Sequence, residues 1–228
     1  MTFVNYYIDA VMGGSIGGYI AVGLLAIVVI IAIIQAGVDY GRGTSRSMLR
    51  FITVIGSAVL AFFATRIVCR AFVPDQLLGD VFRLDWEYLA PLFDAKLSLV
   101  VAPLVFLVLY LFFSMVTVLV HKLLCGLLGF TYGRNNILTR LFAMVVGVAH
   151  GVFFAMILLL PLLNFMMIYK DAAAADIAGG KAESGVVSVY EDYMKASVES
   201  PLVDLPMQYG GSLLLDEFER ANVSALPK

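Results

Sequence analysis

The side chains in this sequence that are able to do chemistry are few, and its two histidines, His121 and His150, are the first to consider. They lie far apart in the chain, and no His-Glu-x-x-His or Cys-x-x-Cys pattern accompanies them. A metal centre needs three or four ligands at matched spacing, so these histidines do not predict one. We therefore predict no metal site, no bound cofactor and no catalytic residues, and the protein is predicted not to be an enzyme.

His150 is the more informative histidine because of its place in the chain. It stands between Gly147 and Gly151 in a long apolar run. An ionisable group in such a run costs free energy when it is buried in a membrane, and it commonly has a function there. The first interpretation is a buried, hydrogen-bonded histidine, and a proton relay is the alternative.

Arg66 and Arg70 are charges near the end of another apolar run, and we treat them as intramembrane charges. Their long side chains are able to reach the lipid headgroups from there. Pairing of Arg66 with an acid inside the helix bundle is the alternative. The acids of residues 74–95 alternate with aromatic side chains, which is typical of a segment that lies on the membrane rather than of carboxylates facing each other across a catalytic pocket.

The composition identifies the surroundings in which these residues act. The chain has 228 residues, of which 61% are hydrophobic and 14% charged, and its mean hydropathy is +0.95. Soluble domains are about 45–50% apolar and about 25% charged. The sequence therefore predicts an all-α integral membrane protein whose first partner is the lipid bilayer. A formal net charge of -2 gives no overall attraction to nucleic acid.

Four apolar runs are each long enough to cross a hydrocarbon layer about 30 Å thick as a helix. They predict spans over residues 19–37, 51–73, 96–121 and 141–168, arranged as two hairpins. Residues 1–18 are predicted to form an interfacial segment. Residues 169–228 are predicted to form an amphipathic tail, with a linker over 171–185 and helical spacing of apolar side chains from Val186 onward.

Basic side chains concentrate in two turns between the spans. The first turn contains Arg42, Arg46 and Arg50, and the second contains Arg134 and Arg140. Positively charged turns of membrane proteins face the cytoplasm. We therefore predict that both turns are cytoplasmic and that both termini, the acidic loop and the tail helices are extracytoplasmic.

Small residues at a spacing of four predict close helix packing in the fourth span. Gly147 and Gly151 form such a pair, which lets two helix backbones approach each other in lipid. Packing inside one bundle is favoured over dimerisation, and a homo-oligomer is the alternative. Cys69 and Cys125 are predicted near opposite membrane faces, so no disulfide is expected between them.

Two stretches of the sequence resemble motifs of the CvpA (colicin V production protein) family. Residues 42–46, Arg-Gly-Thr-Ser-Arg, match the Arg-Gly-x-x-Arg turn between the first two spans of that family. Residues 139–151 resemble the start of its last helix, and Arg140, Gly147 and Gly151 match outright. Thr139 replaces an acid of the motif and His150 replaces a basic residue, so these family positions differ here.

The resemblance implies a multi-pass protein of the bacterial cytoplasmic (inner) membrane. It implies a non-enzymatic role in toxin production or export, or in envelope homeostasis, through contacts with lipids or with other membrane or envelope proteins. The alternative that we carry from the sequence is a subunit of a small oligomeric channel or transporter. Few polar side chains in the spans are available to line such a path: Gln35, Ser57, Thr65, Ser114 and Thr117.

Overall fold

The computed structural model describes residues 3–82, 87–128 and 136–206. These residues are almost entirely helical, and they contain no strand. The helices are α1 (Phe3–Met12), α2 (Ile16–Arg42), α3 (Thr44–Phe72), α4 (Leu78–Val81), α5 (Ala90–Phe93), α6 (Leu97–Leu128), α7 (Ile137–Ala178), α8 (Ser184–Val189), α9 (Lys195–Val198) and α10 (Pro201–Pro206). A 3₁₀ turn (Glu87–Leu89) precedes α5, and a π-helical segment (Tyr190–Met194) joins α8 to α9.

Four of these helices, α2, α3, α6 and α7, are long and apolar enough to cross a membrane. The predicted class, an all-α integral membrane protein with four spans, is therefore confirmed. The sidedness of the chain stays a prediction, because it was inferred from the basic turns alone.

The span helices are longer than the apolar runs that predicted them. Helix α2 begins at Ile16, inside the glycine-rich stretch expected to be a joint, and it continues through Arg42. Helix α7 runs to Ala178 and includes half of the predicted linker over residues 171–185. Its alanine-rich end has a strong helix preference. The helix stops only before Gly180, which adopts a left-handed conformation with φ of 66°.

Contacts within the chain form two compact units, which are described separately. The first comprises Met1–Leu25, Arg66–Leu104 and Leu160–Lys228, and the second comprises Ala26–Thr65 and Val105–Leu159. The predicted interfacial segment and the predicted tail both contribute to the first unit. The second unit contains the first basic turn and the glycine pair.

In the first unit, the end of α7 packs against the segment that follows it. Tyr169, Ala173 and Val186 form a buried cluster with Leu92, and the Tyr169 hydroxyl donates a hydrogen bond to the Tyr88 carbonyl at 2.8 Å. The helical spacing predicted from Val186 onward is confirmed by α8, the π-helical segment and α9. Helices this short are stable only through such packing.

Helix α1 is also held in the first unit by specific hydrogen bonds. The Tyr6 hydroxyl donates to the Ala196 carbonyl, and the Leu202 N–H donates to the Tyr7 hydroxyl at 3.3 Å. Burial raises the pKa of the Tyr7 phenol and outweighs the opposing effect of the Leu202 bond. The phenol is therefore neutral at physiological pH and available as an acceptor.

The acidic loop is closed at its base by backbone bonds. The Leu78 N–H donates to the Ala95 carbonyl and the Leu97 N–H donates to the Gln76 carbonyl, both at 2.9 Å. Asp75, Asp80 and Asp94 are exposed there. These exposures agree with a solvated acidic face, although residues 83–86 of the loop lie outside the described part of the chain.

Candidate functional site

The first basic turn is a single glycine between two long helices. Gly43 has φ of 81°, a left-handed conformation that side chains with a Cβ disfavour. Its N–H donates to the Asp39 carbonyl at 3.2 Å, and the Ser47 hydroxyl donates to the Gly43 carbonyl at 3.0 Å. Ser47 is fully buried. This turn ends α2 and starts α3, so that Asp39 and Arg50 face each other across the hairpin.

Asp39 is a buried carboxylate between two basic side chains from different helices. It has no exposed surface. Its Oδ1 lies 3.8 Å from Arg50 Nη1 of α3, and its Oδ2 lies 3.5 Å from His150 Nδ1 of α7. A buried charge needs a partner because removal from water costs several kcal/mol. Asp39, Arg50 and His150 together form what we call the buried charge cluster.

The surroundings of this cluster are mostly apolar and aromatic. His150 is almost fully buried, and its ring centroid lies 6.3 Å from that of Phe51. Arg50 Nη1 also lies 3.5 Å from Gln35 Oε1. Tyr110 of α6 is fully buried in the same unit. The low polarity strengthens each charge–charge interaction inside the cluster.

The two glycines of α7 bring the cluster together. A Cβ added at Gly147 would lie 2.8 Å from Ala36 Cα, and one at Gly151 would lie 2.5 Å from Ala32 Cα. Both distances are far shorter than a van der Waals contact, so only glycine allows α7 to lie this close to α2. The prediction that this pair packs inside one bundle is confirmed, and homo-oligomerisation stays a prediction.

The other predicted site residues lie around the helix ends rather than in the cluster. Arg42, Arg46 and Arg70 are exposed and Arg66 is partly exposed. Arg140 is exposed, and its guanidinium lies 6.0 Å from the centre of the Tyr40 ring. Arg134 and the side chains of His121 and Cys125 lie outside the described part of the chain. Cys69 is a buried, free thiol.

Sequence reasoning did not identify Asp39 as the partner of His150. The structure places Asp39 of α2 against Arg50 of α3 and His150 of α7. One signal in the sequence pointed to it, since Asp39 is the only acid beside the three arginines of the first turn. The partner on α7 could not be identified because spacing along one helix does not show which side chain of another helix faces it.

Hydroxyl side chains in the spans of the second unit are bonded to carbonyls of their own helices or to each other, since the Ser57 and Thr117 hydroxyls lie 2.9 Å apart across α3 and α6. Thr65 donates to the Ala61 carbonyl at 2.7 Å, and Ser57 donates to the Thr53 carbonyl at 2.8 Å. Thr117 donates to the Phe113 carbonyl at 2.8 Å. Side chains bonded in this way are satisfied without water.

Over the described residues, no group of three or more His, Cys, Asp or Glu side chains is placed to hold a metal ion. Comparison of the chain with protein-family models, with curated proteins and with solved structures returned no match. The resemblance to the CvpA family therefore stays a prediction that rests on the two sequence motifs.

Proposed function

We propose that this protein is a non-enzymatic factor of the bacterial cytoplasmic membrane. It supports toxin production or export, or envelope homeostasis, through contacts with lipids and with other membrane proteins. The bacterial setting and the process come from the resemblance to the CvpA family. The physical role comes from the surfaces of the four spans.

The observation that carries this proposal is the distribution of polar and apolar groups in the spans. The hydroxyls of Ser57, Thr65 and Thr117 bond to helix carbonyls. Large apolar side chains instead face outward along the spans, including Ile33, Ile67, Phe112, Met115 and Val145. Such a surface fits lipid tails and the apolar sides of other membrane helices.

The exposed basic side chains supply a second kind of contact. Arg42 and Arg140 are exposed near the predicted cytoplasmic ends of α2 and α7. Arginines beside a membrane attract anionic lipid headgroups, at about 1 kcal/mol each. The guanidinium of Arg140 lies close to the Tyr40 ring, which holds it near the helix end. These two arginines are therefore the side chains through which we expect lipid contact.

A channel or transporter subunit is the second candidate, and one observation favours it. The buried charge cluster places three ionisable side chains inside the spans, where such groups often mark ion or proton pathways. Several copies of this four-span chain would be needed to enclose an ion or proton pathway.

Complementation of a chromosomal deletion separates these functions. We expect the deletion strain to lose toxin export or detergent resistance, and the wild-type gene to restore it. The double variant R42Q/R140Q should restore it less well than K181Q, which removes an exposed basic side chain outside the basic turns and the spans. Full complementation by the double variant would argue against lipid contact at these residues. Purified protein in liposomes should give no proton or potassium flux, and a flux that depends on Asp39 would instead support the transporter.

A further inference from the structure

Asp39 holds two basic partners at once, although neither is close enough for a good hydrogen bond. The separations of 3.8 Å to Arg50 Nη1 and 3.5 Å to His150 Nδ1 fall within ion-pair range but exceed the usual hydrogen-bond length of about 2.7–3.2 Å. Among the described residues, neither carboxylate oxygen of Asp39 nor Nδ1 of His150 has a direct hydrogen-bond partner. One carboxylate is thus shared between a permanent cation and a side chain that becomes a cation on binding a proton.

Arg50 has a second acceptor that allows it to leave Asp39. Its Nη1 lies 3.5 Å from Gln35 Oε1, one helical turn before Asp39 on α2. The Arg50 side chain is also partly exposed, at 30%. The arginine is therefore able to move toward Gln35 or the headgroups without losing every partner, whereas Asp39 and His150 are enclosed.

The close packing of α2 and α7 keeps the carboxylate and the imidazole together. Gly147 and Gly151 bring the α7 backbone against Ala36 and Ala32 of α2. Asp39 and His150 each lie within one turn of these contacts. Their separation is therefore set by two rigid helices rather than by flexible loops.

We propose that Asp39 and His150 form a proton-binding site in the membrane domain, at which Asp39 exchanges Arg50 for the His150 imidazolium when a proton binds. In the unprotonated state, Asp39 pairs with Arg50 and the imidazole is neutral. A bound proton leaves one hydrogen on each ring nitrogen, and Nδ1–H then donates to Asp39 Oδ2 as a charge-assisted bond. Arg50 leaves Asp39 and keeps Gln35 Oε1, which is already its nearer acceptor. The bound proton adds one positive charge to the cluster.

Other ionisable side chains act on this site from the packed helices. Arg42 of α2 is a permanent cation one helical turn after Asp39, and Tyr110 of α6 is a fully buried phenol of the same unit. Two arginines oppose the imidazolium, while Asp39 favours it. Removal of Asp39 and removal of Arg50 are therefore expected to change the proton affinity of His150 in opposite directions.

Nuclear magnetic resonance of ¹⁵N-histidine-labelled protein in lipid nanodiscs tests the proposal, because the chain has only two histidines. The H121Q background leaves the signals of His150 alone. We expect the His150 signals to change with pH as the imidazole binds a proton. In D39N its proton affinity should fall by about tenfold or more, and in R50Q it should rise. D9N, which removes an exposed acid of α1, should leave it unchanged.

Three results would overturn the site. The first is a His150 signal that does not titrate when Asp39 and Arg50 are both present. The second is a proton affinity of His150 that is the same in D39N as in the protein with Asp39, and the third is one that is the same in R50Q as in the protein with Arg50. If D39N does not fold, R50Q alone decides the matter, because it leaves His150 as the basic partner of the enclosed Asp39 carboxylate in this cluster, and the bound proton then supplies the cation that Asp39 needs. This test does not depend on the proposed cellular role, since a proton site is able to serve either a membrane factor or a transporter.

Discussion

Gly151 determines how closely α7 approaches α2, because the Ala32 backbone of α2 lies where a Cβ of residue 151 would be. We expect G151A to destabilise the protein by about 1–3 kcal/mol, the usual cost of forcing an extra methyl into a packed interior. The added Cβ would meet backbone atoms, which are not able to move aside as a side chain does. Reversible unfolding in mixed detergent and sodium dodecyl sulfate measures this change.

Gly37 provides the matched control for that substitution. It lies in α2 of the same unit, and a Cβ added there would meet no described atom within 4 Å. The variant G37A should therefore keep or slightly raise stability, by up to about 1 kcal/mol, because alanine favours the helix. Equal losses in G151A and G37A would show that helix packing at Gly151 is not tight.

The turn between α2 and α3 depends on the backbone conformation of one residue, Gly43. Gly43 has φ of 81°, and for an alanine the left-handed region costs about 1–2 kcal/mol. We expect G43A to destabilise the hairpin by about that amount. G43N should lose less, since asparagine tolerates this conformation better. The same detergent unfolding assay compares the two variants, and an asparagine variant less stable than the alanine variant would contradict the explanation.

The docking of α1 onto α10 depends on the Tyr7 hydroxyl. It accepts the Leu202 N–H, and a buried N–H without a partner costs about 1–3 kcal/mol. We expect Y7F to speed hydrogen exchange at Leu202 by about fivefold or more, measured by mass spectrometry. Y19F removes the hydroxyl of an exposed tyrosine and should leave that exchange unchanged. Equal exchange in Y7F and the wild type would mean that the bond is not needed to hold α10.

The orientation of the whole molecule in the membrane, that is, which ends of the spans face the cytoplasm, is still a prediction. Ser47 is next to the basic turn but fully buried, so a cysteine there would not report topology. Ser45 and Ser184 are exposed. In a background carrying C69A and C125A, we expect S45C to resist a membrane-impermeant maleimide in intact cells and S184C to react. The same side for both would contradict the four-span arrangement, and reversed labelling would contradict the orientation.

Deletion of the whole tail is a poor test of the tail's function, because part of the tail belongs to the buried core of the first unit. Val186 lies in the cluster with Tyr169 and Ala173, and Val203 is fully buried. Deletion from residue 184 onward would expose this apolar surface and destabilise the first unit. Single substitutions such as Y7F probe the same region without removing its core.

The sequence by itself determined the class of this protein and the number of its spans. Lipid excludes unpaired polar backbone and clustered guanidinium groups, so long apolar runs separated by basic turns permit little besides membrane helices. The glycine pair of α7 was also readable, because small residues at a spacing of four have one common use in lipid. These conclusions follow from local composition, which does not depend on how the helices face each other.

Only the tertiary structure decided which side chains meet. Asp39 could have paired with any of several nearby arginines, and nothing in the spacing assigned it to both Arg50 and His150. The return of the tail onto α1 depends on contacts between residues 190 and 195 positions apart. The physical reason is that such partners are chosen by helix rotation and by burial, and a single sequence contains no record of either.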